Sequence, residues 1–199
     1  CGLNFAGKGK STDGLTMSNC IFSNCTADSE SIFILNGLDD QLEIFNVTFM
    51  DCVRNLDKEN GYMIGIYTSK DNIHLTFKQC HFINLESNAK GGGGIGLLFR
   101  QNEKITDQTL TFDECEFDQI KHDCSFGGAI SIEEGSSLPN EKTDLFIKKC
   151  NFTNISSSKK GAAIYFNSQK QIAITDCNFD KTFSEEEGHS IYISKSNSK

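Results

Sequence analysis

The stretch LTFDECEF at residues 110–117 decides the fold, because its apolar residues alternate with polar ones and the same pattern recurs along the chain. Alternate side chains share one face of a β-strand, so this spacing predicts strand and excludes helix. The shared template is L-x-I-x-x-C-x-F, and the chain contains six copies of it. The copies are LTMSNCIF (15–22), LEIFNVTF (42–49), LTFKQCHF (75–82), LTFDECEF (110–117), LFIKKCNF (145–152) and IAITDCNF (172–179).

Each copy continues with further residues at fixed positions. Three places after the phenylalanine stands an apolar or small residue: Cys25, Cys52, Leu85, Ile120, Ile155 and Thr182. A variable stretch follows, and then a glycine precedes an isoleucine by three places in all copies but the first: Gly61, Gly92, Gly127, Gly161 and Gly188. The spacing predicts three short strands per copy, with a two-residue bend between the first two and a tight glycine corner before the third.

Repeats of unequal length with constant strand spacing are not typical of a propeller or a sandwich of hairpins, because those need a tight turn between paired strands in every unit. The pattern therefore predicts an all-β, single-stranded parallel β-helix, a solenoid of about six rungs with three short strands each. We expect one domain over residues 1–199, part of a longer protein. Residues 1–14 form a partial or capping rung, and the full rungs cover approximately 15–41, 42–72, 73–109, 110–144, 145–171 and 172–199.

Two columns of the repeat are predicted to fill the interior. One holds six of the sixteen phenylalanines: Phe22, Phe49, Phe82, Phe117, Phe152 and Phe179. The other holds five of the nine cysteines and one valine: Cys20, Val47, Cys80, Cys115, Cys150 and Cys177. Because Val47 occupies the same position, the second column requires a small apolar group, which favours buried free thiols over bridges between rungs.

The remaining cysteines leave the question of disulfides open. Cys25 and Cys52 are a candidate pair in adjacent rungs, while Cys1 and Cys124 fall outside the repeat. Nine is an odd number, so at least one thiol has no partner within the chain. No quartet of cysteine and histidine has the spacing of a zinc site, and no cofactor or metal is predicted.

The composition excludes several classes of function. The net charge of −8 argues against nucleic acid as a partner, because phosphate binding needs clustered lysine and arginine. No apolar run approaches the ~18 residues of a membrane span. The glycine-rich strings match no phosphate-binding loop motif, so they are read as corners of the solenoid.

No catalytic constellation stands out. His81 lies between two inward residues and is predicted to point outward, and His122 and His189 are placed in loops before a third strand. None of the histidines has an acidic partner at a fixed column position, so catalytic residues are predicted to be absent. A carbohydrate-active enzyme of the pectate-lyase type is the alternative. Such enzymes gather charged groups on one face of a β-helix, and the absence of an aligned acidic cluster in the sequence disfavours it.

Four sequons mark candidate N-glycosylation sites, at Asn24, Asn46, Asn151 and Asn154. In each the asparagine is predicted to be outward or at a bend. A competing explanation is that asparagine is favoured at bends because it tolerates left-handed backbone.

The F-x-N-[CI] blocks (residues 22–25 and 152–155) and the strings GGAI (127–130), GAAI (161–164) and GGGI (92–95) resemble the polymorphic outer membrane protein repeat. That repeat is known from chlamydial autotransporter adhesins and from surface proteins of some protists. The resemblance implies a right-handed parallel β-helix exposed at the cell surface and used for adhesion. One residue separates Phe from Asn here against two in the bacterial motif, which indicates a divergent member such as a protist one.

From these features we expect a non-enzymatic, adhesin-like scaffold that is extracellular or on the cell surface and presents its loops to a protein or glycan receptor. The variable stretches 55–60, 100–109 and 133–144 are the predicted contact regions, because loops on a rigid scaffold commonly carry recognition. A further alternative is a structural subunit that packs against neighbouring subunits of an assembly. Reduced cysteines throughout would instead favour an intracellular scaffold.

Overall fold

A computed structural model of the chain shows a solenoid of parallel β-strands. The structure describes residues 3–6, 15–27, 31–36, 41–55, 63–68, 73–88, 95–99, 108–123, 126–133, 143–168 and 170–194. Within these ranges the secondary structure consists of strands β1 to β20. Most of each predicted contact stretch, together with Gly61, Gly92, Cys1 and Cys124, lies outside the described residues.

The strands form three parallel sheets, and each full rung contributes to all three. Sheet 1 contains β2 (Leu15–Ser18), β6 (Gln41–Phe45), β9 (His74–Lys78), β12 (Gln108–Asp113), β15 (Thr143–Lys148) and β18 (Ile172–Thr175). Sheet 2 contains β3 (Ile21–Ser23), β4 (Thr26–Ala27), β7 (Thr48–Arg54), β10 (His81–Ser87), β13 (Glu116–His122), β16 (Asn151–Ser157) and β19 (Asn178–Ser184). Sheet 3 contains β1 (Leu3–Ala6), β5 (Phe33–Asn36), β8 (Ile64–Thr68), β11 (Ile95–Phe99), β14 (Ile130–Glu133), β17 (Ile164–Asn167) and β20 (Ile191–Ser194).

The register of sheet 2 stacks equivalent residues of successive repeats. Phe82 pairs with Phe49 on one side and with Phe117 on the other. Ring centroids within this phenylalanine column lie 4.6 to 5.5 Å apart, with the planes nearly parallel. Offset stacking at these distances is favourable beyond the burial of apolar area. The column is therefore a continuous stack through the core of the solenoid.

The cysteine column also lies in the interior. Val47, Cys80, Cys115 and Cys150 are at most 2% exposed, whereas Cys20 and Cys177, at the two ends of the column, are half-buried. Each thiol donates a hydrogen bond to the carbonyl two residues before it, as Cys150 does to Lys148 at 3.2 Å. Hydrogen bonds with the thiols of Cys150 and Cys80, together with burial, raise the pKa of Cys115. Hydrogen bonding to the Cys115 thiol lowers the pKa of Cys80 and of Cys150. The buried sulfur atoms of the column pack as small apolar groups in the interior.

The candidate disulfide between Cys25 and Cys52 is not formed, and both residues are buried free thiols. Directly stacked residues of parallel strands have parallel Cα–Cβ bonds, which is unfavourable for the geometry of a disulfide. The Cys52 thiol donates instead to the carbonyl of Met50 at 3.2 Å. Burial raises its pKa to about 11. This corrects the pairing considered from the sequence.

Left-handed backbone marks two bends in every rung. The first bend separates sheet 1 from sheet 2 and has positive φ at Asn19, Asn46, Gln79, Glu114, Lys149 and Asp176. The second lies within the sheet 2 segment, two residues after the phenylalanine, at Asn24, Asp51, Asn84, Gln119, Asn154 and Lys181. Asparagine and aspartate tolerate this conformation better than most residues, and their frequency here has that cause.

The glycine corner before sheet 3 also requires left-handed backbone. Gly127, Gly161 and Gly188 have φ between 64° and 69°. A Cβ atom at Gly161 would collide with the carbonyl oxygen of Ile164. Only glycine satisfies both requirements, so the repeated glycine follows from the geometry of the corner.

Candidate functional site

The outward face of sheet 2 carries polar side chains from several rungs, together with the exposed apolar residues Ile21 and Phe183. Its strands bury alternate side chains, so the residues between them project to solvent in columns that cross β7, β10, β13, β16 and β19. The columns are in register from strand to strand. We call this surface the sheet 2 face.

A histidine–carboxylate pair lies near the middle of the sheet 2 face. His81 on β10 pairs in register with Glu116 on β13, and the His81 Nδ1 atom lies 2.9 Å from Glu116 Oε2. The two side chains are 40% and 47% exposed. The outward direction predicted for His81 is correct, but the prediction that no histidine has an acidic partner in a neighbouring rung was wrong. Both residues directly follow a cysteine of the interior column, and that shared position was the sequence signal for the pair.

A second group of hydrogen bonds is centred on Asp118, two residues after Glu116 on β13. Asn154 Nδ2 donates to Asp118 Oδ1 at 3.0 Å, and Gln119 Nε2 donates to Asp118 Oδ2 at 3.2 Å. A similar bond joins Asn84 Nδ2 to Asp51 Oδ1 at 2.7 Å. The Asn154–Asp118 and Asn84–Asp51 bonds link side chains of different rungs, whereas Gln119 and Asp118 are adjacent on one strand. Together these bonds hold the amide and carboxylate groups in fixed orientations.

The first bend forms one rim of the sheet 2 face, and its side chains also interact along the solenoid axis. Asn46 Nδ2 donates to Asn19 Oδ1 at 2.7 Å. Glu114 accepts hydrogen bonds from Gln79 at 2.9 Å and from Lys149 at 3.1 Å. These bonds, with the charge of Lys149, lower the pKa of the Glu114 carboxyl. The rim therefore keeps an ionised carboxylate between an amide and an ammonium group.

The four sequon asparagines are all exposed. Asn24, Asn46 and Asn154 have positive φ, whereas Asn151 is the first residue of strand β16 and has no such constraint. Asn46 and Asn154 also donate the hydrogen bonds described above. The preference of asparagine for left-handed backbone thus explains the residue at three of the four sequons, but it does not explain Asn151.

A buried polar column lies inside the solenoid, at the far end of the sheet 2 strands. Its members pair in register and are at most 3% exposed: Arg54, Ser87, His122, Ser157 and Ser184. The sequence placed His122 in a loop, and this was wrong, because β13 continues through it and turns its ring inward. Burial first, and then the charge of Arg54, lower the pKa of His122 to about 4. His189, by contrast, lies in the loop before β20 as predicted.

The described residues contain neither a metal-ligand cluster nor a membrane-spanning helix. Within those ranges, no group of three or more histidine, cysteine, aspartate or glutamate side chains is arranged to hold a metal ion. The described part of the chain also contains no helix long and apolar enough to cross a membrane.

Comparison with known proteins identifies the family. The family model for the right-handed β-helix region matches residues 2–142, which is 141 of the 199 residues. The chain therefore belongs to the right-handed β-helix family, and the predicted fold class is confirmed. No curated protein and no solved structure gives a significant match. The repeat itself continues past the matched region, through β20.

Proposed function

We propose that the chain is a non-enzymatic, adhesin-like scaffold, secreted or displayed at a cell surface, that binds a protein or glycan receptor. Membership of the β-helix family supports the rigid solenoid on which this proposal depends. The narrower resemblance to the polymorphic outer membrane protein repeat, carried by the F-x-N and GGAI-like blocks, supports the adhesive role. The exposed sequon at Asn151 is consistent with passage through a secretory pathway, whereas the seven free thiols among the described residues favour the alternative of an intracellular scaffold.

The observation that carries the proposal is the order of the sheet 2 face. Asp118 and Asn154 are held by a hydrogen bond between neighbouring strands, and His81 and Glu116 are held in the same way one column away. Carboxylates and amides in fixed positions match the hydroxyl and amide groups of glycans and extended peptides. Because these side chains are already ordered, they lose less conformational entropy when a ligand binds them.

Binding to this face is testable with paired double variants. The test variant is Asp118→Ala with Asn154→Ala, which removes the central hydrogen-bonded pair. The control is Glu43→Ala with Lys148→Ala, two exposed residues on the outward side of sheet 1. The probes are an array of neutral and acidic glycans and a panel of immobilised extracellular-matrix proteins, with binding measured by surface plasmon resonance.

We expect the native chain to bind at least one probe and the test variant to bind it at least about tenfold more weakly, because central contacts contribute most of the binding energy of an interface. The control variant is expected to bind like the native chain. Equal weakening in both variants would show that the sheet 2 face is not the site. Chemical conversion of an arrayed glycan by the native chain would instead favour the pectate-lyase-type alternative.

A further inference from the structure

Four thiols of the interior column occupy consecutive rungs: Cys80, Cys115, Cys150 and Cys177. The register places the last two directly opposite each other, since Lys148 pairs with Thr175 and Asn151 pairs with Asn178. Neighbouring strands lie about 4.8 Å apart in a parallel sheet. Cys150 and Cys177 are thus stacked along the solenoid axis with their side chains pointing in the same inward direction.

This pair combines a buried sulfur with a more accessible one. Cys150 is fully buried, and Cys177 on the last described rung is half-buried. The Cys150 backbone N–H donates to Cys177 Sγ at 3.4 Å, and the Cys115 N–H donates to Cys150 Sγ at the same distance. Both sulfur atoms are therefore already acceptors of backbone hydrogen bonds, which stabilise negative charge on sulfur.

We infer that Cys150 and Cys177 form a linear, two-coordinate site for a soft d10 cation such as Cu(I). Two metal–thiolate bonds as long as the ~2.3 Å that zinc makes to sulfur would span ~4.6 Å in a linear arrangement, close to the ~4.8 Å separation of adjacent strands. Thiolates are the ligands that select Cu(I) over harder cations. The site needs only two sulfur ligands, so it is compatible with the absence of larger ligand clusters among the described residues.

Binding exchanges two protons for one cation. Each thiol releases its Sγ proton to solvent as its sulfur forms a bond to the metal, so Cu(I) and two thiols give a bis-thiolate complex with one net negative charge. The oxidation state of the metal does not change. The two backbone N–H groups that point at the sulfurs partly offset the remaining charge. In the metal-free chain the thiols of Cys150 and Cys177 donate hydrogen bonds to the carbonyl oxygens of Lys148 and Thr175, and metal binding replaces these two bonds with bonds to the cation.

The other end of the column provides an internal comparison. Cys20 is half-buried like Cys177, but its neighbour in the column is Val47, which offers no second sulfur. Val47 also shows that valine packs in this column, because it is fully buried there. Cysteine-to-valine substitutions are therefore matched to a residue that the fold already accepts.

The experiment measures how much Cu(I) the reduced protein retains, under anaerobic conditions, against a chromophoric Cu(I) chelator. The variants are Cys150→Val, Cys177→Val, the double variant of both, and Cys20→Val as the control, each checked for folding by circular dichroism. We expect Cys150→Val and Cys177→Val each to lose one equivalent of retained copper, and Cys20→Val to lose none.

The double variant decides whether the two sulfurs share one ion. A shared site predicts that the double variant loses one equivalent, the same as either single variant. X-ray absorption of the native complex should show two sulfur neighbours around copper. Loss of two equivalents in the double variant, an equal loss in Cys20→Val, or no loss in Cys177→Val would each overturn the inference. None of these outcomes depends on the receptor-binding role, which the sheet 2 variants test separately.

Discussion

Replacing Phe117 with alanine is expected to lower the free energy of unfolding by about 3–5 kcal/mol, the usual cost of removing a fully buried phenylalanine. The ring is stacked on both faces, with centroids 4.8 Å from Phe82 and 4.6 Å from Phe152. Phe112 from sheet 1 contacts its edge at 5.6 Å. Truncation therefore leaves a cavity bounded by three rigid rings, which cannot collapse without breaking the stack.

The matched control for Phe117→Ala is Phe183→Ala on β19. Phe183 is 56% exposed and points away from the core, so its loss is expected to change stability by less than about 1 kcal/mol. Urea unfolding followed by circular dichroism measures both variants. Because a solenoid rung contacts only its neighbours, hydrogen exchange should also show the loss of protection concentrated in β10, β13 and β16. Equal effects of the two substitutions would contradict the assignment of Phe117 to a continuous interior stack.

The second large effect is a dependence of stability on pH through His122. Its pKa is about 4 in the folded chain, lowered from 6.5 by burial and by the charge of Arg54, while Asp123 acts in the opposite direction. Above pH 6.5 the ring is neutral in both states. As the pH falls from 6.5 towards 4, the unfolded chain binds the proton and the folded chain does not. The free energy of unfolding should therefore fall by about 3 kcal/mol over this window.

A difference measurement isolates His122 from the carboxylates that also titrate at low pH. The variant is His122→Ser, since Ser87 and Ser157 are its neighbours in the column, and the control is His74→Ser at an exposed position on sheet 1. Urea unfolding between pH 7.5 and pH 4.5 should show a shallower loss of stability in His122→Ser than in the native chain and the control. The same slope in all three would exclude a buried neutral histidine.

The interior columns could be predicted from the sequence because two independent patterns agree on them. Alternation gives the face of each strand, and repetition at fixed spacing gives the register between rungs. Phe117 was placed by both patterns and lies in the stack. Val47 at a cysteine position indicated packing as the requirement of that column, and it is fully buried there. Handedness was implied only by the family resemblance.

The polar features were harder to predict for physical reasons. The apolar alternation ends at Ile120, so His122 looked like the start of a loop, yet its strand continues and the interior accepts polar groups at that end. The available sequence signal was that the period-two pattern of inward positions continues through Ser87, His122 and Ser157. The register between rungs places His81 beside Glu116. The residue types alone do not show that the two side chains point towards each other and form a contact.

Packed columns in register, rather than cysteine cross-links, form the interior of the solenoid. Thiol alkylation with peptide mapping by mass spectrometry, without reductant, tests this most directly. Among the seven described cysteines, we predict rapid native modification of Cys20 and Cys177 only, because burial protects the other five. In denaturant all seven should react. Two results would contradict this interior. One is a buried cysteine that stays unmodified in denaturant until reductant is added, and the other is a buried cysteine that reacts as fast as Cys177 in the native chain.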